Sequence, residues 1–373
     1  MLKPITDKIV LWTYSKGFSV ILAFMAGIKG RRMSHNKGVS LKGKIKIVPN
    51  PTFPKNDFFV AGKEFPCRAR FASVSFEDSA MPQVRGASLK FSDHYFKSPF
   101  DMSMNTGIIS IFWTVRNFMY FASLRNPQHG LQYTEYYKAE PNGLKAARVG
   151  VRVKPSSFAQ LYYYTQTPTM LIGTNGKKYY VNYRLIPEDR GEESGLDLTF
   201  LDKFMGNQRV IGTENEIIDR DYFKDKPEPV SPENPPRNVL ENEMENRVKE
   251  KGKITLHFQI QFREVTGKED AEIFNSNKYW DHQEFPYHDL ASVELNEVMS
   301  YDEGMKTGFS SANHPKSLPH IPAKSIDDYN SLIYIRAHDG FARRVRIWAY
   351  RLMGVPPMIK NEGPRNRMFG EKE

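Results

Sequence analysis

The segment KITLHFQIQFREV, Lys253 to Val265, alternates apolar and polar residues along its length. A period of two places successive side chains on opposite faces, so the pattern predicts a long strand with one face in a core. Shorter β-rich runs precede it: GKIKIV from Gly43 to Val48, CRARFASVSF from Cys67 to Phe76, GASLKFSD from Gly86 to Asp93 and GIISIFWTV from Gly107 to Val115, with glycine, proline and asparagine between them. QLYYYTQTPTML, Gln160 to Leu171, and KKYYVNYRLIP, Lys177 to Pro187, flank IGTNG. There Asn175 and Gly176 tolerate positive φ, which predicts a hairpin. Together these runs predict an α+β chain built on an antiparallel barrel or sandwich with helical additions. At 373 residues and 40% hydrophobic content the chain can bury a large core.

Three further segments organise the chain. In IVLWTYSKGFSVILAFMAGIKGRR the apolar run is nearly continuous only from Phe18 to Ile28, because Lys16 and Gly17 interrupt it. Crossing a bilayer takes about 20 apolar residues. A cleaved signal carries its charge ahead of the apolar run, whereas here Lys29, Arg31 and Arg32 follow it. Residues 1–30 are therefore expected to form an amphipathic or core helix, with peripheral membrane contact through residues 9–28. DKPEPVSPENPPR, Asp225 to Arg237, has five prolines and precedes the helix-favouring NVLENEMENRVKEKG. We read residues 225–250 as an excursion from one body spanning 31–353, followed by a polar tail over 354–373.

Charge and cysteine content narrow the function. With 53 Lys and Arg against 43 Asp and Glu, the net charge of +10 favours anionic partners. The excess is scattered and no basic stripe with stacking aromatics is present, so nucleic acid is not an expected partner. One cysteine, Cys67, excludes an internal disulfide and a multi-cysteine zinc site, and suits a reducing, cytoplasmic compartment.

His35, in RRMSHNKGVS, is by itself as compatible with a loop as with chemistry. The order of the motifs is more informative. RRMSHNKG is followed by FPCRARFASVSF, then VRGASLKFSD, then FDMSMNTGIISIFW. This succession resembles the catalase family, whose pattern runs Arg-x-x-His-x-x-Gly, an Arg-Phe-Ser-like strand, Arg-Gly-x-x-x-Lys-Phe and Asp-x-x-x-Asn. MNTG with IFW, FAQLYYYTQ, QIQF with EIF and a downstream Trp, and SSANHPKSL with DDYNSL are similar to the catalase-related allene oxide synthases and their lipid-peroxidase-like relatives. The resemblance runs from about Arg31 to Leu332 and extends toward Leu352.

What it implies is a catalase-type barrel holding haem (iron protoporphyrin IX) and an enzyme cleaving the O–O bond of peroxides, with organic or fatty-acid hydroperoxides expected as substrates. The alternatives are a catalase decomposing H2O2 and a non-catalytic catalase-fold protein with an impaired haem site. On this reading His35 is the base that takes or relays a proton, and Asn105 donates to a peroxide oxygen. Phe112 matches the position whose ring lies against the haem, and Arg32 and Arg70 match arginines that face haem carboxylates. Alternation places Arg68 and Arg70 on one strand face and Ala69 and Phe71 on the other, and a charged face lining a barrel interior would need an anion. Ser34 occupies a position that is usually apolar in ordinary catalases, and a hydroxyl bonding the imidazole is expected to favour larger hydroperoxides over H2O2.

The proximal iron ligand in the family is a tyrosinate in Arg-x-x-x-Tyr. Continuing without a gap from DDYNSL puts Arg336 in the arginine position and Gly340 where the tyrosine belongs. Ten residues on, RIWAY supplies Arg346 and Tyr350 in the required pattern. HDG at 338–340 is a helix-ending signal, whereas FARRVRIWAYRLM is a credible helix with Arg346 and Tyr350 on one face. We therefore expect Tyr350 as the metal ligand, with Arg346 supporting it.

Overall fold

The computed structural model describes residues 3–29, 32, 34–49, 52–75, 78–126, 130–131, 134–205 and 235–337. β1 (Gly38–Ile47), β2 (Glu64–Ser73), β3 (Gln83–Lys90) and β4 (Asp101–Thr106) form an antiparallel meander. β5 (Tyr163–Tyr164) joins β4 to β6 (Lys178–Pro187), and β7 (Ile254–Glu264) and β8 (His288–Val298) complete the sheet. Because β7 pairs with both β6 and β8, and β8 pairs with β1, the sheet closes on itself as an eight-stranded antiparallel barrel. Closure leaves none of these strands as a bare edge.

Period-two alternation fills the interior. Val39, Leu41, Ile45 and Ile47 of β1, Cys67, Ala69 and Phe71 of β2, Ala87 and Leu89 of β3, and Met102 and Met104 of β4 join one cluster with Tyr183 and Phe258. The last two rings stack at 5.3 Å. Fully burying an apolar side chain of this size contributes roughly 1.5–3 kcal/mol, so a continuous inner face carries much of the stability. At the far end of the β3–β4 ladder Lys90 stands opposite Asp101. Their side chains form a 2.7 Å ion pair with exposures of 0% and 1%.

The helices are α1 (Lys3–Lys29), α2 (Val115–Ser123), α3 (Thr134–Ala139), α4 (Pro141–Gly150), α5 (Leu198–Met205), α6 (Val239–Lys251), α7 (Tyr301–Lys306) and α8 (Ser331–Ala337). α6, from the charged segment after the proline run, packs Leu240, Met244 and Val248 onto the barrel core. One side of α1 meets α2 and α8 through Leu11, Val115 and Ile335. Phe18 of α1 also lies edge-on to Phe118 at 5.4 Å. The other side leaves Ile9, Trp12, Val20, Ile21 and Phe24 more than half exposed. Among the described residues no helix is long and apolar enough to cross a membrane.

Three expectations need correction. GIISIFWTV is not a strand: Gly107 takes φ +86° and ends β4, and its α-carbon packs so tightly on Gly150 that a Cβ would lie 2.6 Å from that residue's Cα. A reciprocal cap then starts α2, as Thr114 Oγ1 accepts from Asn117 N at 3.1 Å while Asn117 Oδ1 accepts from Thr114 N at 3.0 Å. QLYYYTQTPTML is two short strands broken at Gln166, whose φ is +64°, although the hairpin after it forms as expected with Gly176 at φ +79°. Finally, Arg68 and Arg70 face out of the barrel, because it is Cys67, Ala69 and Phe71 that enter the core. Both arginines are buried under outer segments and meet protein oxygens there. Arg68 pairs with Asp93 at 2.8 Å and donates to Thr307 Oγ1 at 2.9 Å.

Candidate active site

The outer face of β2, β3 and β4 carries the site. Ala72, Gly86 and Asn105 are consecutive cross-strand partners there, and Ser88 stands opposite Ser103 with their hydroxyls 3.3 Å apart. The result is a floor of small and polar side chains beside Asn105. His35 arrives over it on the segment leading into β1. Its N–H donates to Val74 O at 3.1 Å, and its φ of +58° lies in the left-handed region that non-glycine residues rarely adopt.

Arginines hold that segment in place. Arg70 donates through Nη2 to the carbonyls of His35 at 3.2 Å and Asn36 at 2.8 Å, and through Nη1 to Ser40 Oγ at 3.1 Å. Arg32 donates to Thr307 O at 2.7 Å and to the carbonyls of Gly304 and Met305 at 3.3 Å. It thereby satisfies the C-terminal end of α7, where a cation is favoured by the helix dipole. The arginines expected to face haem carboxylates thus also anchor the backbone on either side of the imidazole.

The ring itself rests on Gly86. A Cβ at that position would lie 2.7 Å from His35 Cδ2 and 2.9 Å from Nε2, distances no side chain can tolerate. Asn105, opposite Gly86, hydrogen-bonds the imidazole on one side, and Ser34 Oγ lies 3.0 Å from Nδ1 on the other. With Nδ1–H donating to Ser34, Nε2 is left as a proton acceptor; with Ser34 donating instead, Nε2–H donates to the Asn105 amide oxygen. The hydroxyl serves both tautomers, so the ring can hold its proton at either nitrogen. Burial holds the imidazole down at about 4, with Arg336, Arg32 and Arg70 adding to the effect and the Asn105 bond opposing it. His35 is therefore neutral at pH 7.

Phe112 lies on the loop after β4, its ring edge-on to Phe118 at 4.8 Å and near Phe121 at 5.4 Å. Gln166 clamps that loop by donating to Gly107 O at 2.8 Å and Ile109 O at 3.1 Å. Arg346, Tyr350 and Gly340 lie outside the described residues. Arg336, at the end of α8, is described, and it stands close enough to His35 to depress its basicity. The sequence reading left Gly86 without a role here and set Arg336 aside in favour of Arg346. Gly86 had a signal, a glycine inside a strand, which marks a close approach. Among the described residues no group of three or more His, Cys, Asp or Glu could hold a metal ion.

No family model matches the chain. The barrel superposes on catalase A from Saccharomyces cerevisiae with a TM-score of 0.63 at 14% identity, covering 91% of this chain and 66% of that one. A bacterial catalase gives 0.62 at 16% identity, covering 88% and 60%. An allene oxide synthase-lipoxygenase protein from Plexaura homomalla is 32% identical over 337 residues, 89% of this chain and 30% of that protein. The chain has the catalase fold and is similar in sequence to the allene oxide synthase-lipoxygenase protein. A linolenate 9R-lipoxygenase from Nostoc sp. is 25% identical over 310 residues, 81% of this chain and 36% of that protein. The chain thus spans about a third of the length of the curated relatives it matches.

The distal half of a haem site fits what is present: a glycine cradle under an imidazole, an amide beside it, and arginines around it. We predict that Gly86→Ala keeps the fold but displaces the ring, at a cost of about 1–3 kcal/mol. The folded-state value of His35 lies below the ordinary 6.5, so protonation favours the unfolded chain. Its contribution to stability is complete above pH 6.5 and is lost as pH falls toward 4. Following the His35 imidazole C–H resonance against pH should give a midpoint near 4 in wild type and one closer to 6.5 in Gly86→Ala. Equal midpoints would contradict the cradle.

Proposed function

We propose that this catalase-related protein is a haem enzyme that cleaves the O–O bond of hydroperoxides, and that its preferred substrates are fatty-acid hydroperoxides. The observation that supports this best is the His35 imidazole seated on Gly86 between Asn105 and Ser34. Haem would supply the ferric iron at which an O–O bond breaks. Tyr350 would hold it, Arg346 would stabilise the phenolate, and Phe112 would lie against its plane. Arg32 and Arg70 place positive charge beside the imidazole for the haem carboxylates.

The protein's own groups handle the proton. His35 Nε2 takes it from the hydroperoxide O–H when Nδ1–H is turned to Ser34, and burial, with the surrounding cations adding to it, keeps the ring neutral. The Asn105 amide N–H donates to the peroxide oxygen and fixes its position. Ser34 engages the imidazole as the sequence reading requires for a bias away from H2O2. Similarity over 89% of the chain to a protein named for allene oxide synthase activity supports the same substrate class.

In the haem-loaded protein, loss of the conjugated-diene absorbance of a polyunsaturated fatty-acid hydroperoxide should be faster than oxygen release from H2O2. His35→Ala should lower hydroperoxide turnover about 10²–10⁴-fold while haem stays bound. Asn105→Ala should cost less, and Ser34→Val should move the ratio toward H2O2. Vigorous oxygen release with no loss of the diene, or full activity in His35→Ala, would overturn the reading.

A second reading concerns location. The outward side of α1 carries Ile9, Trp12, Val20, Ile21 and Phe24, and the helix has Lys3, Lys8, Lys16 and Lys29 against Asp7. An apolar strip with a tryptophan on a basic helix suits the surface of an anionic bilayer. Ile21→Glu with Phe24→Glu changes only the exposed side, and should weaken cosedimentation with phosphatidylserine liposomes at least tenfold. Unchanged binding would rule this contact out.

A further inference from the structure

The cross-strand row that holds Gly86 and Asn105 continues beyond the peroxide site. Asn105 is opposite Tyr164 of β5, Tyr164 is opposite Arg184 of β6, Arg184 is opposite Gln259 of β7, and Gln259 is opposite Asp289 of β8. All five lie on the outer face, since Met104, Tyr163, Tyr183, Phe258 and Leu290 occupy the core beside them. Strands lie about 4.8 Å apart, so Arg184 is roughly 10 Å from Asn105 along the barrel wall.

Arg184 is built in with care. Its Nε donates to Gln259 Oε1 at 2.6 Å, and it hydrogen-bonds the Tyr164 phenol. Its guanidinium carbon lies over the Tyr287 ring, 4.1 Å from the centroid, with the Tyr162 centroid 5.8 Å away. The neighbouring carboxylates are engaged elsewhere. Asp289 accepts from Gln259 at 2.7 Å and from Arg190 at 2.6 Å, and Glu193 pairs with Arg152 at 2.7 Å. Among the described residues no carboxylate lies within ion-pair distance of Arg184, a half-buried cation.

A guanidinium seated over an aromatic ring and held by side-chain bonds to Gln259 and Tyr164 presents its remaining N–H groups in a fixed fork, the geometry that suits a carboxylate. We propose that Arg184, with Tyr164 and Tyr287, is the subsite that binds the carboxylate of the fatty-acid hydroperoxide. The acyl chain would then lie along the outer wall past Tyr164, with its hydroperoxide at Asn105 and His35. H2O2 and short alkyl hydroperoxides are too small to reach both ends. This rests on the hydroperoxide reading given above, but it makes a separate claim about binding.

The test compares a free fatty-acid hydroperoxide with its methyl ester in wild type, Arg184→Gln and Arg184→Lys, alongside calorimetric titration of the full chain with oleate and methyl oleate. Wild type should prefer acid to ester, and the preference should shrink with added salt. Arg184→Gln should lower kcat/KM for the acid about 10–100-fold, mainly through KM, with the ester unaffected. Oleate affinity should fall in parallel, and Arg184→Lys should recover part of both. Equal losses for acid and ester would assign Arg184 a structural role, and an unchanged acid preference in Arg184→Gln would remove the subsite altogether. Oleate binding that depends on Arg184 in a chain without hydroperoxide turnover would keep the subsite and refute the enzymatic reading. Turnover without acid-over-ester preference would do the reverse.

Discussion

The register between β3 and β4 is the constraint on which the site depends. Lys90 opposite Asp101 at one end of the ladder fixes Gly86 opposite Asn105 at the other. The 2.7 Å pair is almost wholly removed from solvent, and Asp101 also accepts from Ser310 N at 2.9 Å and Asn313 Nδ2 at 2.8 Å. Slipping the strands by one residue would separate these charges in a dry environment, and an uncompensated buried charge costs about 3–5 kcal/mol. It would also turn Asn105 into the core and Met104 out of it. The Lys and Asp of the two family-like motifs thus secure the alignment that the Gly and Asn of the same motifs use.

Above that floor, the electrostatics and the sterics act together. Gly86 lets the imidazole approach, Arg70 grips the carbonyls of His35 and Asn36, and Arg32 ties the preceding residues to the end of α7. Burial, followed by Arg336 and then by these same cations, makes protonation of the ring unfavourable. The arginines that anchor the loop thus add to the effect of burial on its histidine. Along the same face, Tyr164 and Arg184 extend the polar row away from the peroxide end, which gives the barrel wall a direction suited to a long substrate with one anionic terminus.

Much of this was legible in the sequence. Alternation in KITLHFQIQFREV and the NG turn report directly on faces and bends, and both appear as read. GIISIFWTV misled because its β-branched and aromatic residues are there to pack a loop and start a helix. What ends the strand is Gly107 at positive φ and the Thr114–Asn117 cap, both local signals that hydrophobicity hides. Alternation correctly paired Arg68 with Arg70, but period two cannot say which face is inside. The apolar Cys67, Ala69 and Phe71 decide it. Arg184 carried no motif at all, since its significance comes from cross-strand neighbours far away in sequence. Gly86 did carry a signal, a glycine inside a strand, but what approaches it became legible only once the imidazole above it was placed.

Haem binding on this outer face of the barrel, with Tyr350 as the ligand proposed above, underlies the proposed chemistry. The most direct measurement is a haem titration of the full chain followed by its optical spectrum. The expected result is a saturable, stoichiometric Soret band with the high-spin ferric features of phenolate ligation, retained in His35→Ala and abolished or greatly altered in Tyr350→Phe but not in Tyr334→Phe. A chain that forms no saturable band, or one whose spectrum is the same in Tyr350→Phe as in wild type, would contradict it.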